Sequence, residues 1–63
     1  MSGYADQHQA FLKQQTILFV EDDPFTRSMV TEFLQRLVGT LLVAEDGRQG
    51  LTLFRRHRPR IVL

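Results

Sequence analysis

Residues 16–24 read TILFVEDDP, an apolar, β-rich run that stops at three carboxylates and a proline. A continuous apolar run of this length is typical of a strand buried on both faces, as in a parallel sheet. Asp23 is a favourable N-cap because its carboxylate can accept the free N–H groups of a first helical turn. Pro24 suits the first helical position, where no N–H is needed. The stretch therefore predicts a buried strand that leads directly into a helix.

The residues that follow predict this helix and its apolar side. Phe25, Met29, Phe33 and Leu37 recur every four residues and form one stripe on a helix of about fourteen residues. Gly39 is interpreted as the stop signal of that helix. Phe33 and Leu37 are interpreted as core side chains rather than as a groove for a partner.

The same alternation continues to residue 63. Residues 41–44 predict a second strand, and Asp46-Gly47 predicts the start of a second helix, which Pro59 ends. Its apolar side comprises Gly50, Leu51, Leu53 and Phe54, and its last turn carries Arg55, Arg56 and His57. Residues 61–63 begin a third buried strand. The order β-α-β-α-β predicts an α/β fold with a parallel sheet and right-handed crossovers.

Composition limits the possible classes of protein. The chain has 63 residues, 43% of them hydrophobic, no cysteine and a net charge of +1. One small domain is possible, without disulfides or thiolate metal sites. There is no signal peptide and no apolar run of membrane length, so we expect a cytoplasmic protein with no membrane contact.

Basic residues concentrate late in the chain, where residues 55–60 read RRHRPR. No recognition-helix pattern or interleaved aromatic residue accompanies them, so we interpret them as a solvated helix end and expect no nucleic-acid binding. His8 and His57 stand alone, which makes a zinc or catalytic role improbable.

Residues 1–15 form a polar N-terminal extension or linker. Tyr4, His8, Phe11 and Leu12 have helical spacing, so a short amphipathic helix is one interpretation. A linker from an upstream domain and an extra packing helix remain open alternatives.

The carboxylates at the end of the first strand are the candidate site. In open parallel sheets, ligands gather at the carboxyl ends of strands. Mg²⁺ prefers carboxylate, water and phosphate oxygens. Glu21, Asp22 and Asp23 therefore suggest a metal site, with a solvated turn and one N-cap as the alternative.

Three motifs in order resemble a response-regulator receiver domain of two-component signalling. Residues 16–27 resemble its opening, an apolar strand, an acidic pair, a turn and an arginine. Residues 44–51 resemble its second-strand exit and helix start, with Gly50 where alanine is usual. Residues 58–63 resemble the approach to the phosphoacceptor strand. The resemblance implies a flavodoxin-like (CheY-like) sheet of order 2-1-3-4-5, of which residues 16–63 would be the N-terminal, truncated half.

The resemblance also implies roles for the residues of the turn. Asp22 would ligate Mg²⁺ directly and Glu21 would act through water, while Asp23 caps the helix and Arg27 is a surface residue. The phosphoacceptor aspartate would lie two residues beyond Leu63. The chain by itself is therefore expected to be neither phosphorylatable nor an enzyme, and to bind Mg²⁺ weakly or not at all.

Partners follow from the same resemblance. A histidine kinase or phosphotransfer protein would act on the full-length parent of a phosphorelay. The alternative is a self-sufficient small protein–protein interaction module built on half a receiver fold. Because the third strand would leave an open edge, we expect a homo-oligomer formed by edge pairing, element exchange or docking of the segment from Tyr4 to Leu12.

Overall fold

Strands and helices alternate in the computed structural model, which describes residues 10–63. The elements are β1 (Thr16–Val20), α1 (Pro24–Leu34), β2 (Thr40–Ala44), α2 (Gly47–His57) and β3 (Ile61–Val62). The three strands are parallel and lie in the order β2-β1-β3. The predicted β-α-β-α-β succession, the α/β class and the central place of the first strand are confirmed.

The core lies around β1, which has a hydrogen-bonded neighbour on each side. Ile17, Leu18 and Phe19 are all buried, and Leu18 is only 1% exposed. A central strand covered on both faces has no solvent face, which explains why its sequence does not alternate. Val38 and Ala44 are buried as well.

The two helices cover opposite faces of the sheet. Gly50 of α2 lies against Val20 and Ala44, which are register partners on β1 and β2. Val43 lines a cleft with residues of α1. Adjacent strand residues point to opposite faces, so α1 lies on the Val43 face and α2 on the Ala44 face. Helices on both faces are the arrangement of a doubly wound sheet.

The apolar stripe of α1 faces solvent, so the interpretation of Phe33 as a core residue is wrong. Phe25, Met29 and Phe33 are 65%, 57% and 63% exposed. The half-buried residues of this helix are Arg27, Val30, Thr31 and Leu34. The helix has two adjacent apolar rows, one of Phe25, Met29 and Phe33 and one of Val30 and Leu34. Together they are wider than this small sheet can cover, and the row of Val30 and Leu34 is the one that packs on the sheet.

The end of α1 also differs from the prediction. The helix ends at Leu34, and its cap Gln35 keeps a right-handed conformation. Gly39 does not stop the helix but meets the segment before β1, where its N–H donates to the carbonyls of Leu12 (3.1 Å) and Gln15 (3.2 Å). A Cβ at Gly39 would collide with the Lys13 carbonyl, so close approach of two backbones requires glycine here.

The segment before β1 is helical at residues 10–13, with Phe11 exposed and Leu12 half-buried. The predictions for Tyr4 and His8, and for docking of the segment that begins at Tyr4, fall on residues 1–9, outside the described residues.

The second half of the chain follows its local signals. Asp46 is the N-cap of α2, and Arg58 is its C-cap in a left-handed conformation (φ 50°). The next residue, Pro59, is buried. The third strand is present, but it is less buried than predicted, because Ile61 is half-buried while Val62 and Leu63 are 51% and 56% exposed.

Across residues 10–63, no helix combines the length and apolar character that crossing a lipid bilayer requires.

Candidate functional site

The turn between β1 and α1 carries the three consecutive carboxylates at the carboxyl edge of the sheet. The N–H of Glu21 donates to the Ala44 carbonyl at 3.1 Å, which extends the pairing of β1 and β2 by one residue. Glu21 is half-buried, whereas Asp22 and Asp23 are exposed. The sheet therefore fixes the start of the turn and leaves the next two carboxylates facing water.

Asp23 is the helix cap, as predicted. Its Oδ2 accepts the Thr26 N–H at 2.7 Å. Hydrogen bonds from Thr26 lower the pKa of the Asp23 carboxyl below its ordinary value, with a smaller contribution from the charge of Arg27. A carboxylate held in this way is committed to the helix and has less capacity left for a metal ion.

The other two carboxylates have different surroundings. Oε2 of Glu21 accepts the Asp23 N–H at 3.1 Å, so Glu21 also braces the turn. Among residues 10–63 no group donates a hydrogen bond to the carboxylate of Asp22. Asp22 is thus the carboxylate of the turn that is free to ligate a cation, with Glu21 beside it.

Arg27 has a structural role that sequence reasoning missed. The assignment to a plain surface position is wrong, because Arg27 is half-buried and reaches back over the turn. Its Nη1 donates to the main-chain carbonyl of Glu21 at 3.1 Å and to that of Asp22 at 3.5 Å. The arginine therefore holds the backbone of the acidic pair, and its positive charge acts on the Asp23 carboxylate. The spacing between Glu21 and Arg27 was the one feature of the sequence that could have indicated this contact. Because every residue type has a backbone carbonyl, the residues that accept these hydrogen bonds cannot be recognised from the sequence.

The end of β2 adds two carboxylates at the same edge of the sheet. Asp46 Oδ1 accepts the Gln49 N–H at 2.8 Å, and the Gln49 side chain accepts the Glu45 N–H at 2.6 Å. This reciprocal pair is a variant of the capping box. Asp46 is therefore used for capping, which leaves the β1–α1 turn as the candidate metal site.

The carboxylates of the turn could hold Mg²⁺, but they form an incomplete site. Within residues 10–63 no three His, Cys, Asp or Glu side chains lie close enough together to hold a metal ion. Mg²⁺ is usually bound by one or two carboxylates with waters and phosphate oxygens. Asp22 as a direct ligand and Glu21 through water satisfy that minimum without a third protein ligand.

Beyond the last residue of β3, Leu63 continues the pairing with β1. Its N–H donates to the Leu18 carbonyl at 2.8 Å, and its carbonyl accepts the Val20 N–H at 3.0 Å. Ile61 and Val62 are in register with Ile17 and Leu18. In the same register, a residue two positions after Leu63 would stand beside Glu21.

Searches of protein-family models, curated proteins and solved structures find no match to this chain.

A polar cleft of about 470 Å³ lies between α1 and Val43 of β2. Its lining includes Arg27, Ser28 and Thr31, and the buried Thr31 hydroxyl has no hydrogen-bond partner among the described residues. Neither Glu21 nor Asp22 lines this cleft, but Arg27 lines it and also contacts the backbone of both residues.

The basic residues lie at the end of α2, on the side of the sheet opposite to the carboxyl ends of the strands. Arg55, Arg56 and His57 form the last turn of α2, the end of the helix dipole that favours cations. The Arg58 guanidinium lies 5.6 Å from the centre of the Phe54 ring. These contacts explain the cluster as a stabilised helix end.

Proposed function

We propose that residues 16–63 form the N-terminal β-α-β-α-β portion of a flavodoxin-like receiver domain, which takes part in phosphorelay signalling within a longer response regulator. The observation that carries the proposal is the acidic turn after the central strand, where Asp22 is free to ligate a cation and Glu21 lies beside it. The receiver motifs in the sequence and the β2-β1-β3 order support the same function.

The register between β3 and β1 also supports the proposal. Leu63 lies level with Phe19 through its two hydrogen bonds to β1. An aspartate two residues later would place its carboxylate at the same edge as Glu21 and Asp22. A phosphoacceptor at that position would complete the set of three carboxylates that a receiver uses around Mg²⁺.

The residues of this chain would contribute positioning and charge. Bound Mg²⁺ would neutralise charge on the phosphoryl oxygens. Asp22 would hold the ion, Glu21 would orient a bound water, and Arg27 would keep the backbone of both residues in place. The nucleophile, and the conserved residues of later strands in receiver domains, would come from outside these residues. The donor of the phosphoryl group would be a histidine kinase or a phosphotransfer protein.

A second candidate function is a self-sufficient protein–protein interaction module on the same half fold, for which a cation is not needed. The exposed apolar side chains Val62 and Leu63 favour it, together with the outer edge of β3, which pairs with no further strand among residues 10–63. Binding of a divalent cation at the acidic turn distinguishes the two functions.

Titration calorimetry with Mg²⁺ tests the receiver proposal. We expect weak binding, on the order of millimolar, because only two carboxylates are available. Asp22→Ala should abolish the binding. Glu32→Ala is the matched control, because it removes one exposed carboxylate from α1 without touching the turn.

Three outcomes would count against the receiver proposal. Submicromolar affinity would mean that the site is complete within these residues, and equal loss of binding in both variants would mean that Mg²⁺ does not bind at the turn. A stable acyl phosphate formed from acetyl phosphate would likewise contradict the absence of a nucleophile from these residues.

A further inference from the structure

The polar cleft between α1 and β2 lies at an edge of the sheet that the proposed receiver fold leaves open. Its strand residue is Val43 of β2, and none of the exposed apolar residues Phe25, Met29 and Phe33 lines it. β2 is an outer strand in the order β2-β1-β3. In the order 2-1-3-4-5 further strands add beyond β3, so β2 stays at the edge. The completed sheet would therefore leave this cleft accessible.

The polar groups of the cleft have few partners within the fold. Its volume of about 470 Å³ falls within the range of small-molecule sites. The exposed side chains of Ser28, Glu32 and Gln35 make no hydrogen bond to other groups of residues 10–63. The hydroxyl of Thr31 is buried and has no partner there either. Because buried hydroxyls are rarely left without a partner, the cleft contains a hydrogen-bonding group that these residues do not satisfy.

Arg27 supplies the positive charge of the cleft. It is half-buried, and its Nη1 donates to the main-chain carbonyls of Glu21 and Asp22. A guanidinium has five N–H donors, so these contacts leave Nε and Nη2 available. The planar arrangement of such donors matches the two oxygens of a carboxylate. Arg27 can therefore hold the turn and bind a carboxylate at the same time.

Glu32 supplies a negative charge on the opposite side of the cleft. It follows Arg27 by five positions, which is about 7.5 Å along the helix axis. A simple anion would be attracted by Arg27 and repelled by Glu32, and a simple cation would meet the reverse. A molecule with both charges is complementary to both residues. An α-amino acid with a charge-assisted hydrogen bond of about 2.8 Å at each end spans a similar length.

We propose that this cleft binds a small zwitterion of the α-amino-acid class. Its carboxylate pairs with Arg27 and its ammonium group pairs with Glu32. The hydroxyls of Ser28 and Thr31 donate to the carboxylate, and Val43 contacts the carbon atoms of the ligand. Because the cleft is open to water and salt, binding is weak, with dissociation on the order of 1–10 mM. The inference requires neither Mg²⁺ nor the receiver function.

NMR titration of the isotopically labelled full chain with glycine tests the proposal, since glycine carries both charges and no side chain. Glycine should shift the amide signals of Ser28, Thr31 and Val43 and the Nε–H signal of Arg27, and these shifts should saturate. Acetate and methylammonium each carry one of the two charges. At equal ionic strength each should bind at least about fivefold more weakly than glycine.

Two cleft variants and one control test the roles of the residues. Glu32→Gln should weaken glycine binding by about tenfold, because it removes the charge that pairs with the ammonium group. Thr31→Val should weaken it by about threefold while the unligated chain stays at least as stable, because the variant removes a buried hydroxyl without a partner. Glu45→Gln, an exposed carboxylate outside the cleft, is the matched control. Arg27 is kept because it also holds the turn.

Several results would overturn the proposal. One is the absence of saturating shifts at Ser28, Thr31 and Val43 up to about 100 mM glycine, ten times the weakest affinity expected. Others are acetate binding as tight as that of glycine, and parent affinity in folded Glu32→Gln or Thr31→Val. Shifts centred on Asp22 or on the basic end of α2 would place the ligand elsewhere and would overturn it as well.

Discussion

The guanidinium of Arg27 donates to the main-chain carbonyl of Glu21 at 3.1 Å, across the turn that separates the central strand from the first helix. The arginine therefore ties the first turn of α1 to the last residue before the exposed carboxylate of Asp22. A backbone held in this way keeps the acidic pair at the edge of the sheet without help from a bound ion.

Replacement of Arg27 should loosen this turn. Arg27→Met keeps much of the side-chain length but removes the charged donor. We expect it to lower the free energy of unfolding by about 1–2 kcal/mol, toward the lower end for charge-assisted hydrogen bonds because Arg27 is half-buried. Arg48→Met on the exposed surface of α2 is the matched control. Urea denaturation at one fixed protein concentration measures both variants. Equal stability of the two variants would mean that the contact contributes nothing.

Protonation of Asp23 should weaken the start of α1. Its pKa is lowered in the folded chain by the hydrogen bonds from Thr26, so its charged form stabilises the fold above the unfolded pKa of about 3.9. This stabilisation is lost as pH falls through the lowered folded pKa. Asp23→Asn keeps a capping oxygen but does not titrate, so the difference in stability between the parent chain and this variant should shrink in acid.

Carbon-detected NMR of the Asp23 carboxyl measures the same effect directly. The titration midpoint should lie below about 3.9. A midpoint at or above that value would show that the cap is not formed in solution.

Gly50 should be coupled energetically to Val20. A Cβ at position 50 would lie 2.9 Å from Cγ2 of Val20, too close without a shift of the helix or of the valine. Gly50→Ala gains about 1 kcal/mol in helix propensity, but in the native background the crowding should cancel this gain or exceed it.

A double-mutant cycle with Val20→Ala separates the two effects. Gly50→Ala should be more favourable in the Val20→Ala background than in the native one, by about 1 kcal/mol. Identical effects in both backgrounds would show that α2 does not pack closely on β1 at this point.

Local signals explain why much of the fold could be predicted from the sequence. The apolar run of β1 and the caps Asp23 and Asp46 act within a few residues of themselves. The strand and the two helix starts that they determine do not depend on the rest of the chain. The parallel order follows from these elements because strands alternate with helices.

Several failures of prediction involve contacts between distant segments. Whether Phe33 is core or surface depends on how much of the sheet faces α1, which the periodicity of the helix does not encode. Position 39 requires glycine because the backbone of Lys13, twenty-six positions earlier, approaches it closely. From the sequence, a glycine after a helix predicted a C-terminal helix cap instead. The carboxylates of the candidate site could be named from the sequence, but the hydrogen bonds of Glu21 with the Asp23 N–H and with the Arg27 side chain could not.

Paramagnetic NMR with Mn²⁺ as the probe tests the proposed metal site most directly. Substoichiometric Mn²⁺ added to the isotopically labelled chain should selectively broaden the amide signals of Glu21, Asp22 and Asp23, and Asp22→Asn should remove the effect. Broadening centred on Glu45 and Asp46, or none up to millimolar Mn²⁺, would contradict a cation site at the β1–α1 turn, the observation on which the receiver proposal rests.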